Sequence, residues 1–176
     1  ADPALPPEEQ AATYKLLKEL VSIDTSNPPG NEIRIVRHVK PLLEKEGIEV
    51  KIFESAPGRG NLWARIKGDG SGGGPLLITA HVDVVGAKKE DWQTDPFQAV
   101  EQDGYLYGRG TIDDKGMAAV AVQVMRKIAR EKIPLTRDLI LFLGADEESG
   151  SRFGIGWMLE NHPDLVKADV AINEGG

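Results

Sequence analysis

Four short stretches hold the residue types that could do chemistry. They are His81-Val82-Asp83, Asp113 within the glycine-punctuated run 108–116, the triplet Asp146-Glu147-Glu148, and Glu174. One imidazole among carboxylates is a donor set that suits a borderline divalent cation such as zinc. The chain has no cysteine, so thiolate nucleophiles, disulfides and sulfur-ligated metals are excluded, and any metal must sit on His, Asp and Glu. Taken singly the stretches are ordinary, since a His-x-Asp after a strand is commonly a turn and paired glutamates are commonly a solvated edge. Taken together they are not. Carboxylates crowded into one crevice repel, and would take up protons unless a cation neutralised them.

The elements that must position them alternate between strand and helix. Pro6-Pro7-Glu8-Glu9 opens a helix striped by Leu16, Leu17, Leu20 and Val21, which stops before the turn at 26–30. A second helix, capped by Asn31 and closed by Gly47, carries Ile35, Val36, Val39, Leu42 and Leu43, with a kink at Pro41. Strands are expected at 48–53 and 61–66 around a Pro57-Gly58 turn, then a flexible loop at 67–74. That loop matches G-x-G-x-x-G at Gly68, Gly70 and Gly73, but a buried strand at 75–80 follows it. A nucleotide site needs a helix N-terminus there, so the match is set aside.

After His81 and Asp83 come a loop with Trp92, Pro96 and Phe97 and a strand fragment at 105–107. The helix after Asp113 shows Met117, Val120, Ala121, Val124, Met125 and Ile128 near a 3.6 period. Gly116, Ala118, Ala119 and Ala121 keep its start thin enough to approach a sheet. An apolar strand at 139–145, a short helix at 154–161 and a last buried-looking strand at 168–173 complete the series. This alternation predicts an α/β fold: an open mixed, largely parallel sheet with helices on both faces. Three of its strands end in candidate residues, and ligands of open α/β sheets bind beyond the carboxyl ends of strands.

The same residues suggest roles. Asp113, set by a glycine-flanked turn at a helix start, is the natural bridge between two metals held about 3.5–4 Å apart. His81 is a direct ligand, and Asp83, two residues on, accepts its other ring N–H and fixes the tautomer. Adjacent Glu147 and Glu148 diverge, so one can bind metal while the other stays free as general base.

The run His81-Val-Asp83-Val-Val, Trp92 with Asp95-Pro96-Phe97, then Asp103-Gly104-Tyr-Leu-Tyr-Gly108-Arg-Gly110-x-x-Asp113-Asp-Lys-Gly116 and Asp146-Glu147-Glu148 resembles the dizinc aminoacylase and carboxypeptidase family. That family, of zinc-exopeptidase-like fold, includes carboxypeptidase S, glutamate carboxypeptidase, acetylornithine deacetylase and succinyl-diaminopimelate desuccinylase. The resemblance runs from about Leu16 to the end. It implies a metal-dependent hydrolase that cleaves a peptide or N-acyl amide bond with zinc-activated water, taking small peptides or N-acyl amino acids. It implies two Zn²⁺, with Co²⁺ or Mn²⁺ as substitutes: Asp113 bridging, His81 and Glu174 completing one site, Glu148 serving the other, and Glu147 as the catalytic base, with Asp83 counted beside it among the catalytic residues for its hold on His81. It also implies a cis peptide between Asp113 and Asp114.

In that family a later histidine completes the second zinc, and an inserted lid domain mediates dimerisation. Residues 1–176 are therefore read as the N-terminal portion of the catalytic domain, without the lid/dimerisation domain and the C-terminal catalytic segment. The expected partners are the C-terminal remainder of the same enzyme and, when complete, a second copy in a homodimer. His38 and His162 match no family ligand and are expected at the surface. A portion of this kind should expose an apolar face. The alternative is a catalytically silent metal-binding or protein-interaction fragment. A net charge of −7, with no long basic run, argues against nucleic acid and anionic membrane as partners. The start at Ala1-Asp2-Pro3-Ala4, without Met, reads either as a mature end left by a signal peptide or as a cut made at the gene level, slightly favouring a periplasmic or secreted protein.

Overall fold

The computed structural model describes residues 6–174; the opening Ala1-Asp2-Pro3-Ala4 and the closing Gly175-Gly176 lie outside the described residues. Helices α1 (Pro7–Val21) and α2 (Ile33–Glu44) come first, followed by strands β1 (Glu49–Ala56), β2 (Arg59–Ile66) and β3 (Leu76–His81). A small hairpin, β4 (Val100–Gln102) with β5 (Tyr105–Tyr107), precedes α3 (Lys115–Arg130). Then come β6 (Leu139–Gly144), α4 (Ile155–Asn161), α5 (Pro163–Val166) and β7 (Val170–Ile172).

The main sheet runs β1-β2-β6-β3-β7, antiparallel in its β1-β2-β6 half and parallel in its β6-β3-β7 half. The parallel half decides the site. β3 lies in register with β6 so that His81 stands opposite Gly144, and Ile78 stands opposite Ile172 of β7. Strands that run the same way finish at the same edge, so the residues just past their ends meet. Period-two alternation then sorts side chains between the faces. Leu62, Ala64, Leu139, Leu141 and Leu143 pack with α1, α2 and α3, whereas Trp63, Leu77, Ile140 and Phe142 pack with α4 and α5. Helices thus cover both faces. Each fully buried Leu, Ile or Phe contributes roughly 1.5–3 kcal/mol relative to exposure.

Several local expectations change. Asn31 does not cap α2: it takes a left-handed φ of 81°, and Glu32 holds the cap position without a side-chain cap bond. α2 continues through Pro41 and ends at Glu44. In α3 the thin residues Ala118, Ala119 and Ala121 are buried with Val122 and Met125, while Val120 and Val124 face outward. The periodic stripe was therefore rotated by the small residues, which allow the closer approach. β7 is an exposed edge strand, with Val170 and Ile172 nearly half exposed, because no strand pairs with its far side among the described residues. The loop at 67–74 is pinned rather than free: Gly68 N–H donates to Asp138, Gly72 N–H to the Thr136 carbonyl and Gly74 N–H to Asp169. His162 is half-buried, its ring 4.6 Å from Phe53 and 5.3 Å from Trp157, and His38 is a half-buried partner of Glu19. Among the described residues no helix is long and apolar enough to cross a membrane.

Candidate metal centre

His81 closes β3 and is almost fully buried. Its Nε2 lies 2.8 Å from Asp113 Oδ1, 3.4 Å from Glu174 Oε1 and 3.8 Å from Glu147 Oε2. One donor atom each from His81, Asp113 and Glu174 all fall within 4.8 Å of one another, a spacing and donor chemistry that fit a single divalent ion. Each arrives by a separate route. His81 and Glu174 come from the ends of parallel neighbours, and Asp113 from the turn ahead of α3. Gly110 in that turn has φ 88°, and a Cβ there would crowd Val84. The Asp113–Asp114 peptide is cis, as are Asn27–Pro28 and Pro28–Pro29.

The far side of the imidazole is held by Asp83. Nδ1 is 3.0 Å from the Asp83 carbonyl oxygen and 3.3 Å from its carboxylate, so the carbonyl is the nearer acceptor. The Asp83 carboxylate is fully buried and accepts from Asn27 Nδ2 at 2.8 Å, Glu147 N–H at 3.0 Å and Glu148 N–H at 3.2 Å. Burial opposes its ionisation, but donors from His81, Asn27 and Glu147 prevail and hold it below the usual range. Burial likewise opposes charging His81, and the surrounding Asp83, Glu174 and Asp113 outweigh it, raising the ring to about 10.

Burial and neighbouring carboxylates act together on the acids. Asp114, buried beside the site and accepting the His81 N–H at 3.3 Å, is pushed up to about 6 by burial and by Glu174. Glu148 is raised by burial and by Asp113, and Glu174 by burial, with Asp113 and Glu147 adding to it against the pull of His81. Glu148 thus feels the charge of Asp113 but is not one of the three residues that converge. Glu147 leaves its side chain half exposed at the mouth. Lys115, fully buried at the start of α3, donates to the Ile23 carbonyl and is lowered to about 8 by burial.

A buried polar network behind the site has no counterpart in the sequence reading. Asp146 takes a left-handed φ of 67° and turns its carboxylate away from the crevice, onto Arg59 Nη2 at 2.8 Å and Asn27 Nδ2 at 3.1 Å. Arg59 also reaches Glu32 at 2.9 Å, Asn27 Oδ1 at 3.1 Å and the Pro29 carbonyl at 2.8 Å. The sequence signal for it was the polar, turn-rich stretch 26–32 together with Arg59 at the start of β2. A cleft of about 340 Å³ is lined by His81, Glu147 and Glu174 together with Leu77, Phe142 and Ala171. A larger hollow of about 460 Å³ between α1 and α3 contains none of the candidate residues.

An imidazole and carboxylates gathered where parallel strands of an α/β sheet end form a layout that can hold a divalent metal ion. The chain belongs to peptidase family M20/M25/M40, whose model matches residues 77–176. It is 36% identical over 141 residues to the "Probable succinyl-diaminopimelate desuccinylase" of Staphylococcus epidermidis, across 80% of this chain and 33% of that protein. It is 40% identical over 104 residues to the human "N-fatty-acyl-amino acid synthase/hydrolase PM20D1", across 58% of this chain and 20% of that one. Its fold is shared with human carnosine dipeptidase 1 at a TM-score of 0.81 and 23% identity, over 96% of this chain and 39% of that chain. The chain spans about a third of the length of the first of these relatives.

Proposed function

We propose that the chain carries most of the active centre of a metal-dependent hydrolase that cleaves a peptide or N-acyl amide bond. The observation that supports this best is the convergence of His81, Asp113 and Glu174 donor atoms within 4.8 Å. These three would hold one zinc ion, and Asp113 with Glu148 would begin a second site that needs a further ligand. A metal bound there supplies Lewis acidity toward the scissile carbonyl and makes water more acidic. Glu147, half exposed beside the cleft, takes a proton from the attacking water and returns it to the leaving amine. Asp83 keeps the His81 ring turned toward the crevice.

Covering about a third of a relative's length supports reading residues 1–176 as one portion of a larger catalytic unit. In this reading the remaining ligand comes from the C-terminal remainder of the same enzyme, and the complete protein is a homodimer acting on small peptides or N-acyl amino acids. Zinc titration and a substrate panel test the proposal. The chain should take up one zinc tightly, and His81→Ala should lose it. In the form that turns over dipeptides or N-acyl amino acids, Glu147→Gln should lower the rate by about 10²–10⁴-fold and spare zinc. No zinc uptake, or full activity in E147Q, overturns it.

A further inference from the structure

Asn27 sits on none of the elements that carry the candidate ligands, yet it is buried and both ends of its side chain are committed. Its Oδ1 accepts from Arg59 Nη1 at 3.1 Å, which identifies the opposite atom as the NH₂ group. That group donates to Asp83 Oδ2 at 2.8 Å and to Asp146 Oδ1 at 3.1 Å. The backbone is fixed as well: Asn27 N–H donates to the Val84 carbonyl at 2.8 Å, and Thr25 Oγ1 donates to the Val82 carbonyl at 2.6 Å. The turn is therefore latched alongside the segment that follows His81.

We propose that Asn27, oriented by Arg59, is the positioning residue of the metal centre, fixing the Asp83 carboxylate that aligns both the His81 ring and the Glu147-Glu148 backbone. Asp83 has four donors around two oxygens, and Asn27 supplies the shortest of these contacts. Without it Oδ2 keeps only the Glu148 N–H, and the carboxylate gains freedom to turn about its Cβ. A turn there moves the carboxylate that lies 3.3 Å from His81 Nδ1 and that anchors the Glu147 and Glu148 N–H groups, while the Asp83 carbonyl keeps its 3.0 Å contact with the ring. Arg59 enforces the amide orientation because its planar fork reaches Asn27, Pro29, Glu32 and Asp146 at once, which an ammonium cannot do.

This rests on the zinc-centre reading above, and the test separates the two. Zinc affinity and the visible spectrum of cobalt(II) at saturation are measured for the chain, for Asn27→Ala and for Arg59→Lys. Outer groups that orient a ligand typically change metal affinity about 10–100-fold, and that weakening is expected in both variants. The cobalt spectrum should also shift in the fully loaded variants, which a loss of stability alone would not produce. If Asn27→Ala does not melt cooperatively, Arg59→Lys, which keeps the positive charge, decides by the same two readouts. Wild-type affinity with a wild-type spectrum in a folded variant overturns the role of Asn27. A wild-type chain that takes no zinc, or whose uptake survives H81A, overturns the centre itself and this role with it.

Discussion

The backbone N–H of Glu147 donates to Asp83 Oδ1 at 3.0 Å, tying the turn after β6 to the residue that backs the His81 ring. Sequence adjacency explains how Asp83 reaches His81. Only the parallel pairing of β3 with β6 explains how it reaches Glu147.

Replacing Asp83 by Ala should therefore disturb two things at once. Each buried donor left without its acceptor costs about 1–3 kcal/mol. Zinc affinity should fall about 10–100-fold as the ring loses its backing carboxylate. Chemical denaturation and zinc titration of the same variant check both, and wild-type zinc affinity in D83A would remove Asp83 from the centre.

Gly154 lies where a Cβ would overlap the carbonyl oxygen of Ala145, the residue just ahead of Asp146. Gly154→Ala should push the 146–148 turn out of place. Overpacking of this kind costs about 1–3 kcal/mol. At this chain length that corresponds to a fall of roughly 2–12 °C in melting temperature. A thermal melt that matches wild type would show that the turn can yield without cost.

Glu32 gives a pH dependence whose sign follows from its surroundings. Burial raises its carboxyl from 4.5 to about 7, and the Arg59 contact opposes this without prevailing. Between those values the unfolded chain has released the proton and the folded chain still holds it, so this group makes stability fall as pH rises through the window. Glu32→Gln keeps the shape and one acceptor oxygen but does not titrate. Its stability relative to wild type should grow by on the order of 3 kcal/mol from about pH 4.5 to about pH 7. Urea unfolding at the two ends of that window measures the difference, and a pH-independent difference would refute it.

Much was legible in the sequence because local rules sufficed. Apolar runs at 75–80 and 139–145 read as strands and form β3 and β6, and each leads into chemistry-bearing residues. Donor types and the absence of cysteine restricted the metal to nitrogen and oxygen ligands, and the motif spacing carried the family. Periodicity was less informative in α3, where alanines beside the sheet turned Val120 and Val124 outward. Likewise an apolar pattern did not bury β7, because burial depends on a neighbouring strand.

The sequence by itself determined which residues could do the chemistry and which strands deliver His81 and Glu174. Tertiary structure alone decided that Asp146, which leads the candidate pair Glu147-Glu148, belongs instead to a buried clamp with Arg59, Asn27 and Glu32. Adjacent residues share a backbone but not a direction, and the left-handed φ of Asp146 turns its carboxylate inward. The clamp joins residues 27, 32, 59, 83 and 146, which become neighbours only when the sheet brings together β2 and the ends of β3 and β6.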